Sequence, residues 1–182
     1  MKKILLISIV SLSLLCLTAC TDKIETQPKE EQKENDEKEV TQITPEGGLG
    51  DTLKVFEQNY GPNSGNNDLA SFKNDYIQPG FWEGKANSFY FMLIRTDKAN
   101  WTKEQVLNEM KKVIPNDAVK VKEYFYRDNP QMEVIEYTSE SLKNVFDDLY
   151  EPEEPGNFNV LLYKEEDIFI SASAHVGKPP EE

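Results

Sequence analysis

No cysteine follows Cys20 in this chain of 182 residues. The folded part therefore has no disulfide, no thiolate metal ligand and no cysteine nucleophile, and an ordinary apolar core must hold it. About 140 residues lie beyond the charged segment that ends at Ile43, enough for one such core and too few for two. One domain is expected over residues 44–176, with a short flexible tail over 177–182.

The N-terminus reads as a separate segment. Met1-Lys2-Lys3 precedes an apolar run from Ile4 to Leu17, and Leu17-Thr18-Ala19-Cys20 closes it. A basic start, a short apolar stretch and small residues before a cut describe a secretory signal. The run is shorter than the ~20 residues of a spanning helix, and a plain secreted protein would need no cysteine at the cut. Leu17-Thr18-Ala19-Cys20 resembles the lipobox of bacterial lipoproteins, whose pattern is Leu, a small or apolar residue, Ala or Gly, then Cys. That resemblance implies cleavage after Ala19, a diacylglyceryl Cys20 with palmitate-class acyl chains, and a place on the extracytoplasmic face of the cell membrane.

Residues 1–19 are thus expected to be a signal peptide and 20–43 the lipidated cysteine and its tether. Thr21 to Ile43 holds eight acidic residues and four lysines, with no aromatic residue. Such a segment cannot bury enough apolar surface to offset its ordering entropy, so a disordered spacer is predicted. The whole chain carries a formal net charge of −13, and losing Lys2 and Lys3 makes the remainder more acidic. That balance excludes a nucleic-acid partner, whose phosphates need a basic face. It also opposes lying flat on anionic headgroups. Partners are expected to be basic or neutral, and the chain itself a monomer.

The glycines of Thr44-Pro45-Glu46-Gly47-Gly48-Leu49-Gly50 match neither the dinucleotide nor the P-loop pattern, so they are expected to form a flexible turn. Asp51 or Thr52 then caps a helix with Leu53, Phe56 and Tyr60 on one face, and Gly61-Pro62 stops it. Leu69 to Trp82 suits an interrupted strand, with a helical face for 69–77 as the rival, and Pro79-Gly80 confines any strand to an edge or a bulge. Asn87 to Thr96 reads as a central strand, apolar on both faces. Thr102 with Gln105 makes a capping box and Trp101 with Val106 a hydrophobic staple, opening a helix that runs to about Val113. Strands follow at Val119–Phe125 and Met132–Tyr137, a helix at Ser139–Tyr150, and a last hairpin at Phe158–Tyr163 and Ile168–Ala174. The order is helix then hairpin, three times. It predicts an α+β domain, an antiparallel sheet of about six strands with three helices packed on it.

Gly50-Asp51-Thr52-Leu53-Lys54-Val55-Phe56-Glu57 with Tyr60-Gly61, Phe72-Lys73-Asn74-Asp75-Tyr76 and Thr102-Lys103-Glu104-Gln105 give the domain a resemblance to small lipoproteins of uncharacterised function from Gram-positive bacteria. The resemblance implies no activity, no cofactor and no catalytic residues.

Chemistry-bearing residues are few. His175 is the only histidine. Ser171 and Ser173 share its strand face, but neighbours on one strand point parallel, so a strand-end histidine in water is expected rather than a Ser–His pair. Zinc would need three carboxylates beside that histidine. Asp147, Asp148, Glu151, Glu153 and Glu154 form an acidic patch that a calcium ion could use, although the spacing is not that of an EF-hand and a solvated loop is the simpler reading. Phe81, Trp82 and Tyr90 exceed what so small a core can absorb, so an aromatic surface for a peptide or glycan is the other candidate. Together these observations predict a non-enzymatic protein- or peptide-binding lipoprotein without metal or cofactor. A small-ligand or cation-binding lipoprotein is the alternative, and an envelope hydrolase comes third.

Overall fold

Helix and hairpin alternate three times along the chain. The first unit is α1 (Leu53–Tyr60), β1 (Ile77–Trp82) and β2 (Lys85–Phe91). The second is α2 (Lys103–Met110), β3 (Val119–Phe125) and β4 (Met132–Thr138), and the third is α3 (Glu140–Phe146), β5 (Asn157–Glu165) and β6 (Ile168–Val176). A computed structural model describes residues 42–147 and 156–179, all within one compact unit, Glu37–Glu182. The six strands make one antiparallel sheet in the order β1-β2-β6-β5-β4-β3. The last hairpin thus occupies the middle, and the first two hairpins flank it.

Alternation along the strands decides which residues meet the helices. Phe89, Phe91, Ile135, Phe158, Val160 and Leu162 point to one face and join Phe56, Val106, Met110, Leu142 and Phe146 in a single buried cluster. Phe56 on α1 sits at an aromatic centre, with ring centroids 5.4 Å from Phe81, 6.0 Å from Phe72 and 6.0 Å from Phe89. Stacked and edge-on rings of this kind add to plain area burial.

Several local readings need correction. The glycine turn is fixed in place rather than flexible. A Cβ on Gly48 would fall 1.8 Å from the carbonyl oxygen of Val113, and Gly50 lies at φ +83°. Thr52 does occupy the N-cap of α1, but its hydroxyl makes no cap bond. The Asp51 carboxylate turns backwards instead, accepting from Ile43 N–H (2.8 Å), Thr44 Oγ1 (2.5 Å) and Gly48 N–H (3.0 Å).

β2 is interior, as its apolar content suggests, yet it ends at Phe91. Met92 N–H turns to the Tyr76 carbonyl, and Leu93–Arg95 form a 3-10 turn. β1 lies at the sheet edge with a bulge between Gly80 and Phe81, where Pro79-Gly80 placed it. Ahead of β1, residues 69–76 carry two isolated bridges, Leu69 to Gly80 and Phe72 to Ile77, so the stretch to Trp82 is an interrupted strand and the helical rival does not form.

α2 carries the expected capping box, Gln105 N–H to Thr102 Oγ1 and Thr102 N–H to Gln105 Oε1. It stops at Met110, though Val113 and Ile114 remain buried in the turn that follows. Trp101 is buried. Its indole Nε1–H donates to Thr96 Oγ1 (3.2 Å), and the Lys98 ammonium lies 4.0 Å from its ring centroid. α3 opens with Leu142 N–H on Ser139 Oγ. The expected continuation to Tyr150 lies outside the described residues.

Two stability outcomes follow from this packing. Thr102→Ala should cost about 1 kcal/mol, the usual loss of a cap hydroxyl, whereas Trp101→Ala should cost roughly 3–5 kcal/mol as a buried indole. Denaturant unfolding of both variants checks the order, and a wild-type midpoint for Trp101→Ala would contradict its structural role. Asp51→Ala leaves three donors of a buried turn unpaired and should cost about 3 kcal/mol by the same measurement.

Candidate functional site

Three connections converge at one end of the sheet: the segment after β2, the β3–β4 turn and the β5–β6 turn. After β2 the chain leaves the sheet, buries Leu93, exposes Ile94, and returns to the pinned Trp101. A register shift after Tyr163 lets the β5–β6 hairpin set Ile168 and Phe169 opposite that loop. Leu93, Ile94, Trp101, Ile168 and Phe169 line a cavity of about 320 Å³. Phe169 also walls a second cavity of about 240 Å³, whose other sides are Phe125, Pro130, Leu162 and the polar pair Lys103 and Glu133. Ile94 is 63% exposed, Phe125 50% and Ile168 42%. Large apolar side chains open at one place and flanked by charge mark a binding surface more often than a solvated one.

The polar floor is an ion cluster. Lys103, at the first turn of α2, places Nζ 2.5 Å from Glu123 Oε1 on β3 and 2.5 Å from Glu133 Oε1 on β4, and Lys120 holds the other oxygen of Glu123 at 2.8 Å. Contact with Glu133, then Lys103 and Lys120, keeps Glu123 down at about 2. Burial, and then Glu123, push Glu133 up against the pull of Lys103. Of the two carboxyls, Glu133 is the one that takes a proton first. The two carboxylates close on one ammonium.

The residues singled out from the sequence are scattered. Phe81 packs edge-on against Phe56 in the core. Tyr90 lies on the opposite sheet face, edge-on to His175 at 5.0 Å. Trp82 is exposed at the end of β1. These three do not make one aromatic surface. Asp147 is exposed at the end of α3, while Asp148, Glu151, Glu153, Glu154 and Cys20 lie outside the described residues. Among the described residues, no three histidine, cysteine or acidic side chains come together as a metal site.

His175 departs from expectation. It is half-buried, its Nε2 is 3.0 Å from Ser173 Oγ, and burial pushes its pKa down. The two side chains share a face and turn toward each other. No carboxylate orients the imidazole among the described residues, so the arrangement of a nucleophile, a base and an orienting third group is incomplete there.

The outer edge of β1 is covered by the preceding segment. Ala70 N–H donates to the Pro79 carbonyl and Phe81 N–H to that of Asp68, while Asn63 and Asn66 side chains hold the covering segment. β3 pairs on one side only. It exposes Val119 and Val121, but a bulge between Lys120 and Lys122 and those two lysines discourage a further strand. Sequence reasoning missed Ile94, Phe125, Ile168 and Phe169 as a group. The one legible signal was an apolar pair directly after the charged Glu165-Glu166-Asp167 turn.

Lys103→Met should lower stability by roughly 1 kcal/mol at neutral pH, a modest figure for a half-exposed cluster. Without the ammonium, the folded-state pKa of Glu133 rises further above its unfolded value. The variant's deficit should therefore shrink as pH falls from neutral into the acid range and the carboxyl takes up its proton. Thermal unfolding across that range checks it, and a pH-independent deficit would contradict the cluster's role. Comparison with family models, with curated proteins and with solved structures finds no match to this chain.

Proposed function

We propose that the protein is a lipid-anchored, non-enzymatic module of the cell envelope that binds a protein or peptide partner in the groove beside Phe169. The observation that carries this reading is the exposure of Ile94, Phe125 and Ile168 around two adjoining cavities. Each cavity is at or below the low end of small-molecule pockets, about 300–1,000 Å³, and suits one or two inserted side chains better than an enclosed ligand. The covering of β1 and the lysines and bulge of β3 support a monomer. The lipobox supports attachment through Cys20, which leaves the folded unit free to meet partners from a tether.

A photo-crosslinking amino acid at Ile168, in intact cells expressing the full chain, should give a discrete adduct, and the same group at Trp82 should give none. Ile94→Glu with Ile168→Glu should keep the melting temperature within a few degrees and abolish the adduct. Adducts at Trp82 but not at Ile168 would move the site away from the groove. Cys20→Ser in the same cells should shift the protein out of the firmly membrane-bound fraction.

A further inference from the structure

The first hairpin joins the rest of the sheet along its shortest seam. β2 meets β6 over four residue pairs, Ser88–His175 to Phe91–Ala172, where each of the other strand pairings has six or more. That seam also sets the spacing of the groove walls. Leu93 and Ile94 follow β2 on one side of the larger cavity, and Ile168 and Phe169 open β6 on the other. At the opposite end of the seam sits the single histidine of the chain. The His175 ring is half-buried, edge-on to Tyr90 of β2 at 5.0 Å, with Nε2 3.0 Å from Ser173 Oγ. It therefore touches both strands.

Among the described residues, the groups paired with or beside His175 are uncharged: Ser88 and Tyr90 on β2, Ser173 on β6 and Asn159 on β5. Burial holds Tyr90 as a neutral phenol. The nearest charged residues along the chain are cations on both strands, Lys85 before Ser88 and Lys178 after His175. Glu136, one strand beyond Asn159, is held by Lys122 at 3.0 Å and by the Tyr124 hydroxyl at 2.9 Å. A proton on His175 thus places a charge where no free acid faces it, and opening the seam to water relieves that cost.

We infer, building on the peptide-binding reading above, that His175 is a pH sensor for the groove: its protonation loosens the β2–β6 seam and weakens partner binding. Burial pushes the His175 pKa down, so the ring is neutral at pH 7. The folded-state value lies below the unfolded one, near 6.5. The stability that the neutral ring contributes is therefore complete above that pH and is lost as pH falls through the folded value. Linkage makes the effect reciprocal, so a bound partner makes the ring harder to protonate.

The test has two arms. In the full lipidated protein in nanodiscs of neutral phosphatidylcholine, NMR should show the His175 ring and the Trp101 indole changing with one shared midpoint. In intact cells, the photo-crosslinked adduct at Ile168 should fall roughly fivefold from pH 7.5 to pH 5.5, at the low end of coupling between sites. His175→Gln, which keeps a polar side chain beside Ser173, should remove both dependences. A His175 titration that Trp101 ignores would overturn the sensor, and it needs no variant. An adduct of equal yield at both pH values, or a fall that His175→Gln retains, would overturn it too and leave the groove reading standing. No adduct at either pH would overturn the groove reading, while a shared His175 and Trp101 midpoint would still support the coupling through the seam.

Discussion

The buried carboxylate of Asp51 is the joint on which the domain turns. It draws together the backbone of Ile43 and Gly48 and the hydroxyl of Thr44, closing a loop whose apolar anchors in the core are Ile43 and Leu49. The closed loop then offers its own backbone to three neighbours. Gly50 and Asp51 exchange hydrogen bonds with Ala86 on β2, Leu49 and Glu46 donate to Val113 and Lys112 after α2, and Ile43 accepts from Asn116 on the approach to β3. Burial raises the pKa of this group while its donors oppose the shift. That opposition is why every donor matters: a buried acceptor of this kind is tolerable only when it is fully satisfied.

Because the loop fixes where the first two units meet, the third unit can be inserted between them. The β5–β6 hairpin pairs with β4 on one side and β2 on the other. This places its turn beside two connections that are distant in sequence. The groove is a consequence of that insertion. Its walls come from residues near 94, 125 and 168, which no local pattern relates, and its floor from an α2 lysine that reaches two strands. The ion cluster therefore has a structural duty, tying helix to edge hairpin, and it lies directly beneath the surface assigned to a partner.

The edges of the sheet are managed differently. At β1 an asparagine-held segment supplies the missing hydrogen bonds. At β3 a bulge and two lysines make the edge unattractive to another strand, even though Val119 and Val121 are exposed there. Aromatic content near β1 is absorbed by the core through Phe81 and by the far face through Tyr90. An excess of rings in one stretch of sequence thus does not translate into an exposed aromatic patch.

Much of the architecture was legible in the residues alone. The Thr102–Gln105 box, the Gly61 stop, the edge position forced by Pro79-Gly80 and the thrice-repeated helix and hairpin are local consequences of backbone chemistry and of apolar period. They appear in the structure within a few residues of where the sequence puts them. The early end of β2 was not legible, because Met92 leaves the sheet for a carbonyl sixteen residues back, at Tyr76. Nor was the rigidity of the glycine turn, which depends on Val113 filling the space above Gly48. The Ser173–His175 contact rests on side-chain rotation that strand periodicity does not specify. By itself the sequence determined the type of most elements, their order and the acidic balance, all of which depend on composition and near neighbours. Only the tertiary structure decided strand order, and with it the groove, because that choice brings together residues whose proximity depends on which hairpin occupies the middle of the sheet.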